Sequence, residues 1–268
     1  MRKISSEEVK AIELEILLVV DKICKDNNID YFLDSGTLLG SIRHKGFIPW
    51  DDDIDIGMVR KDYDNFVSII ESKLPEGYYA QTSLNGKNKY FGFTKIRKAG
   101  THMVEHGIDY SDDENGIWVD IFPYDLVDND AGLQRQLKKY KVISKISTLR
   151  SFPEAHSGSS ILKRGLRRLF RFFTLIHDEQ YYYDALENLA TKTTDNSNCL
   201  YTCLYYMTDV VLLDKDDIYP LKESEFEQNM FPIINNHEKY LEQYYGDWWV
   251  IPDEKDRVVH DCLNMYVD

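Results

Sequence analysis

The alternation of apolar and polar positions divides most of the chain into helical and extended segments. Val9, Ile12, Ile16, Val20 and Ile23 recur at helical spacing behind a Ser5–Glu8 capping box, and Asn27 and Asn28 close that helix. Tyr31, Phe32 and Leu33 read as a short strand, Gly36 follows, and a short helix covers 37–43 before a loop marked by Gly46 and Pro49. The segment 53–58 alternates strictly, which predicts a strand with one acidic face. A helix over 60–74 stops at Pro75 and Gly77, and strands are expected at 78–83, 90–97, 101–105 and 117–122. Two or three helices fill 131–194 around a break at Pro153 and Gly158. A strand near 200–207 then precedes an aromatic-rich helix over 236–245. There is no internal repeat and no low-complexity linker. The expected organisation is α+β: a core at 1–127, a helical, basic insertion at 128–198, and a C-terminal segment at 199–268 packing on the core as one compact unit.

Composition supports a folded chain and narrows its partners. An apolar fraction of 43% over 268 residues is enough for a substantial core. The formal net charge of −14 excludes a general nucleic-acid binder, which needs a basic footprint. The charge is uneven, however. Between Arg135 and Arg171 the only acid is Glu154, among many lysines and arginines. Leu162, Leu166, Leu169, Phe173 and Ile176 make an apolar stripe there, with Lys163, Arg164, Arg167, Arg168 and Arg171 elsewhere on the helix. Two readings stay open: a core-facing stripe with a solvated basic back, or docking of 161–176 to an anionic membrane or a phosphate-bearing glycan. Glu7, Glu8, Glu13 and Glu15 interrupt any secretory signal, and no run of about 18 apolar residues is present. Cys199 and Cys203 have no second pair to make a zinc site, so Cys24, Cys199, Cys203 and Cys262 read as reduced thiols. A cytoplasmic protein, peripheral at the inner face of the membrane, is expected.

The chemistry concentrates on carboxylates. Asp53 and Asp55 lie two apart on the predicted strand, so their Cα atoms stand roughly 6–7 Å apart on one face. They can converge on a hard cation, and without His or Cys partners Mg2+ or Mn2+ is favoured over zinc. A solvated charge run at 51–53 is the plainer alternative. A calcium loop fails, because its glycine and final glutamate positions hold Ile56 and Asp62. Asp120 sits inside an apolar strand, where a carboxylate needs a cation or a hydrogen-bonding partner. Gly36 and Thr37 lie between a strand and a helix, where backbone N–H groups can seat a phosphate. Arg43, His44 and Lys45 at the helix end either touch phosphate or offset the helix dipole. Lys95 and Arg97 share one face of a strand, either presenting cations to a diphosphate or guarding a sheet edge. Trp50 either stacks on a nucleobase or anchors a loop. The aromatics of the tail (Tyr240, Tyr244, Tyr245, Trp248 and Trp249) are either core or a cage for a quaternary ammonium.

The order of a small-residue turn, a short helix, paired acids on a strand and one later acid resembles the nucleotidyltransferase superfamily. The whole segment 33–58, LDSGTLLGSIRHKGFIPWDDDIDIGM, closely resembles the signature of the LicD family, which includes the fukutin-related proteins. Lys95-Ile96-Arg97, the segment Trp118 to Pro123, and Tyr244-Tyr245-Gly246-Asp247 followed by Pro252 agree with it. The resemblance covers most of the chain and is weak over 128–198. It implies a nucleotidyltransferase-like mixed sheet flanked by helices, with Asp53, Asp55 and Asp120 as catalytic metal ligands. It also implies transfer of a phospho-alcohol from a CDP-linked donor, CDP-choline first, to a hydroxyl of teichoic acid or lipopolysaccharide. Gly36, Thr37, Arg43, His44, Trp50, Lys95 and Arg97 are the substrate-binding candidates. The alternatives are a nucleotidyltransferase moving NMP from an NTP, and a non-catalytic glycan- or lipid-binding module.

Overall fold

A computed structural model describes residues 2–51, 53–82, 92–105, 115–128, 131–151, 172, 174–193, 199–206, 210–257 and 262–267. Its axis is a long strand, β7 (Trp118–Asp128), preceded by β1 (Arg2–Lys3), α1 (Ser6–Asn27), β2 (Phe32–Leu33), α2 (Ser35–His44), β3 (Asp55–Val59), α3 (Arg60–Lys73), β4 (Tyr78–Gln81), β5 (Thr94–Lys98) and β6 (Thr101–Glu105). The elements after it are α4 (Ala131–Ser151), α5 (Glu179–Ala190), β8 (Cys199–Thr202), α6 (Lys215–Ile218), β9 (Lys222–Phe226), β10 (Asn229–Ile233), α7 (His237–Tyr245) and β11 (Cys262–Val267). The central sheet runs β2-β3-β7-β5-β4, with β8 added to the far end of β7. The β3–β7 pair is parallel and the other described pairs of this sheet are antiparallel, so the sheet is mixed. A smaller sheet, β1-β11-β6, and the β9–β10 hairpin complete the pairing.

The expected strand at 117–122 continues to Asp128. Pro123 cannot donate to a ladder, which argues for an end there. In the fold it falls in a gap: β5 pairs no further than Ile121, and β8 begins at Asp125. The acidic strand starts at Asp55 rather than Asp53, which lies in the approach to it. The β9–β10 hairpin and the short strands β1 and β11 carry no strong sequence signal. The hairpin turns at Glu227 and Gln228, both at positive φ, where the usual Asn-Gly signature is missing. Most of the basic segment 161–176 lies outside the described residues.

The helices cover the sheet as their periodicity dictates. α1 opens with the expected capping box and buries Val9, Ile16, Leu17, Val20 and Ile23, packing on β5 and β7. α3 buries Tyr63, Phe66, Val67 and Ile70 against β3, β4 and β7. α4 and α5 pack on each other around a second cluster containing Leu133, Leu137, Tyr140, Leu186 and Ala190, with Val127 of β7. Arg60 joins this pair to the core: it reaches Asp125 through two bonds of 2.7 and 3.0 Å and Glu187 of α5 at 2.6 Å.

A second buried charge ties three elements together. Asp34 is fully buried and accepts hydrogen bonds from Tyr124 Oη (2.7 Å), Tyr240 Oη (2.6 Å) and the Ser35 N–H (2.9 Å). Burial, followed by the Asp34 charge, pushes both phenols well above their ordinary range, so they remain donors. The turn before α2, strand β7 and helix α7 therefore meet on one carboxylate.

Asp34→Ala strands two buried hydroxyls and should destabilise the protein by about 3 kcal/mol or more, whereas Asp34→Asn, which keeps an acceptor oxygen, should cost less. Urea unfolding followed by circular dichroism measures the difference. Arg60→Ala leaves Asp125 buried without its partner and should cost about 3 kcal/mol. Hydrogen exchange should then rise in α4 and α5 before it rises in α1.

Candidate active site

The first motif folds into a cradle because backbone bonds hold both of its ends at the start of β3. The Asp34 N–H donates to Asp55 O at 3.0 Å, and the Asp55 N–H donates to Thr37 Oγ1 at 2.9 Å. The N-terminus of α2 and the Asp55 carboxylate are thereby set side by side. Ser35 takes a positive φ of 44° to start the helix in this position. Gly36 lets the Asp51 carboxylate come close: a Cβ there would stand 2.6 Å from Asp51 Oδ2 and push that side chain aside. Its backbone is left open to the cavity in front of it.

That cavity measures about 760 Å³. It is lined by Asp51, Asp53 and Asp55 with Gly36 and Trp50 from the first motif, and by Tyr244, Tyr245, Asp247 and Trp248 from the end of α7 and the turn after it. Among the described lining residues Arg43 is the cation. Arg43 Nη1 donates to Trp248 O at 2.7 Å and Nε donates to His44 Nε2 at 3.0 Å, which fixes the guanidinium between α2 and the C-terminal turn. Burial raises the Asp55 pKa well above the carboxylate range, reinforced by Asp53, Asp120, Asp34 and Asp51 in that order. Burial and Arg43 push the His44 pKa down, consistent with an imidazole that accepts from Arg43.

Asp120 reaches the same level of the sheet from β7, directly opposite Asp55 in the parallel register. On its other side it faces Lys95 of β5. Lys95 Nζ lies 2.8 Å from Asp120 Oδ1 and 4.1 Å from the centre of the Trp118 ring, and the Trp118 indole N–H donates to Asp120 Oδ2 at 3.1 Å. Arg97, two residues on, covers the same ring at 4.6 Å and donates to Gln81 Oε1 at 2.6 Å and to Gly116 O.

The predicted residues thus divide. Gly36, Arg43, Trp50, Asp53 and Asp55 line one cavity, and Asp120 sits one strand away. Thr37 is buried with its hydroxyl engaged by the Asp55 amide, and His44 stands behind Arg43. Lys95 and Arg97 are 3% and 1% exposed and do not reach the cavity. They are not edge charges either, because β5 lies between β4 and β7 and both cations are covered. Of the tail aromatics read as either core or a cage, Tyr244, Tyr245 and Trp248 line the cavity, and Asp247 joins them without having been singled out. Its signal in the sequence was the Tyr-Tyr-Gly-Asp motif at 244–247. Tyr240, one turn earlier, binds Asp34 instead.

The donor set suits a hard cation: it is all oxygen, partly buried and rich in negative charge. Asp53 and Asp55 line the cavity together with Asp51 and Asp247. Among the described residues, no three His, Cys, Asp or Glu side chains already converge as a metal-ligating group. Asp120 is turned toward Lys95 and Trp118.

Residues 28–156 match the family described as LicD/FKTN/FKRP, nucleotidyltransferase domain. Over its whole length the chain is 30% identical to the lipopolysaccharide cholinephosphotransferase LicD of Haemophilus influenzae, and the alignment covers all of that protein as well. Two shorter matches are to an uncharacterized protein of Rickettsia typhi, 42% identical over 72 residues, and to mouse ribitol-5-phosphate transferase FKTN, 38% identical over 63 residues. The first covers 26% of this chain and 23% of the relative; the second covers 23% and 14%. A full-length relationship, the family match over the first motif and a mixed sheet that sets Asp55 beside Asp120 lead to one assignment: this chain belongs to the LicD family and is a LicD-like phosphotransferase of nucleotidyltransferase-like α+β fold.

Proposed function

We propose that this protein transfers phosphocholine from CDP-choline to a hydroxyl of a cell-surface glycan, lipopolysaccharide or teichoic acid, and releases CMP. The observation that carries this reading is the end-to-end similarity to the Haemophilus influenzae cholinephosphotransferase. The cavity supports it, since carboxylates, a glycine-bounded helix start and an arginine meet there.

Asp53 and Asp55 would hold Mg2+ or Mn2+, with Asp120 completing the set from β7. A bound ion supplies charge neutralisation to the diphosphate and to the charge that grows in the transition state. The open backbone at Gly36 and the N-terminus of α2 would seat a donor phosphate. Arg43, braced by Trp248 O, would meet the same anionic group. Trp50 at the rim would carry the nucleobase. The acceptor oxygen attacks the phosphorus bearing choline, the bond from that phosphorus to the bridging oxygen breaks, and CMP departs with the electron pair. The hydroxyl proton passes to Asp120, whose orientation is set by Lys95 and Trp118. Lys95 and Arg97 would then act beneath the site, by placing Asp120 and Trp118, and Thr37 and His44 by holding Asp55 and Arg43.

A lipid-linked acceptor would bring the reaction to the inner face of the membrane. Among the described residues no helix is long and apolar enough to cross one. α4 carries no acid and presents Lys138, Lys141 and Lys145 along a groove with Val142, which is 51% exposed. Exposed Phe172, Leu175 and Ile176 follow the undescribed basic segment. Such a basic, partly apolar face suits an anionic bilayer surface.

Calorimetric titration with CDP-choline, CDP-ribitol, CDP-glycerol and CTP, with and without magnesium, tests the donor. Magnesium-dependent selectivity for CDP-choline is expected; binding of CTP alone would overturn the reading in favour of NMP transfer. Asp53→Asn and Asp55→Asn should each lower turnover by about 10²–10³-fold, the scale of losing one group that stabilises transition-state charge. Asp55→Asn should also leave a pH signature in metal-free protein. Asp55 holds its proton more tightly folded than unfolded, so stability falls as pH rises from the ordinary carboxylate range through the raised folded pKa. The variant should melt near the parent at about pH 4 and above it at about pH 8.

A further inference from the structure

The lining of the cavity is rich in carboxylates. Asp51, Asp53 and Asp55 come from the first motif, and Asp247 comes with Tyr245 and Trp248 from the C-terminal segment. The C-terminal wall is preorganised. Gly246, at a φ of 68°, turns the chain at the end of α7 so that Asp247 and Trp248 come back to the cavity. Trp248 is buried against the Trp249 ring, 4.3 Å between centres, and its carbonyl is held by Arg43. Tyr245 is 38% exposed and packs on Tyr244 at 4.6 Å. Burial, Tyr244 and the Asp55 and Asp51 carboxylates push the Tyr245 hydroxyl well above its ordinary range, so its ring is that of a neutral phenol in a negative field.

Rings in a negative cavity attract cations, and the rim already contains one such contact. The Arg257 guanidinium lies 4.3 Å from the centre of the Trp50 ring. A primary ammonium would seek hydrogen-bond acceptors at the carboxylates and compete with a metal ion there. A quaternary ammonium has no N–H to donate, is weakly hydrated, and gains most from an aromatic face with an anion nearby. We propose that Tyr245 and Trp248, with Asp247, form the subsite for the trimethylammonium head of the donor and make the enzyme selective for a quaternary ammonium over an uncharged group of the same shape. This rests on the phosphocholine reading above and adds the residues that would enforce it. The head group would then lie against the C-terminal wall while the diphosphate faces Gly36, Arg43 and the acids.

The test compares phosphocholine with 3,3-dimethylbutyl phosphate, in which a carbon replaces the charged nitrogen at nearly constant shape. Both are titrated calorimetrically, in magnesium buffer, into the parent protein, Tyr245→Phe and Tyr245→Leu. The parent should prefer phosphocholine by about two- to thirty-fold, the range of cation–π attraction from exposed to desolvated sites. Tyr245→Phe, which keeps the ring, should retain the preference and serves as the folding control. Tyr245→Leu should lose most of it while binding the uncharged isostere as the parent does. Equal binding of the two probes by the parent, or a preference unchanged in Tyr245→Leu, would overturn the subsite. The reading of the reaction fails separately: turnover of CDP-choline with no effect of Tyr245→Leu refutes the subsite alone. A ring-dependent preference for phosphocholine without turnover of CDP-choline refutes the donor alone.

Discussion

The carboxylate of Asp34 is the point on which the site depends. It is fully buried, and two tyrosine hydroxyls and a backbone N–H donate to it. Charge in such a place is tolerated when its lone pairs are met by well-placed donors, and losing any of them exposes the desolvation cost. Because the donors come from β7, α7 and the first turn of α2, the bond set fixes where these three meet. The first motif is thereby held against the C-terminal helix that follows it by some two hundred residues. The aromatic wall faces the acids because Tyr240, one turn before Tyr244, is anchored to Asp34.

The acidic cluster works against stability, in contrast to Asp34. Asp55 is shifted toward its neutral form by burial and by four neighbouring carboxylates. A site built this way stores repulsion that a cation or a cationic ligand relieves, and such local cost is common where a protein must bind charge. The sheet also limits the strain. Lys95 pairs with Asp120 and the Trp118 indole N–H donates to it, and Arg97 lies over the same ring. Cations placed beneath the acids let three carboxylates approach one level of the sheet without all facing one another unneutralised.

Lys95 and Arg97 show what alternation along a strand can and cannot convey. Their spacing placed both on one face, and the structure agrees. Which face it was, and whether the strand was central or at an edge, depended on partners distant in sequence. β5 is enclosed between β4 and β7, with Trp118 and Asp120 in register opposite Arg97 and Lys95. The two cations lie against an indole, and Lys95 also pairs with a carboxylate. Thr37 and His44 follow the same logic, since each stands next to a cavity residue and holds it in place.

Local rules determined much of the chain. The capping box of α1, the helical stripe behind it, the strand that carries the acid pair and the glycine at the head of α2 are short-range features, and the structure reproduces them with shifts of a residue or two. The first motif and the Tyr-Tyr-Gly-Asp motif were likewise visible in the sequence, because close backbone approach and paired carboxylates restrict which residues fit. Tertiary structure decided the rest. It extended β7 past Pro123 by leaving the missing N–H in a gap between partners. It turned a hairpin through Glu227 and Gln228 without the usual turn residues. It also set the tail aromatics apart, sending Tyr240 to a buried carboxylate and Tyr245 and Trp248 to the cavity. Neighbouring side chains on one helix have similar local surroundings in sequence, and only the long-range packing around Asp34 gives them different partners.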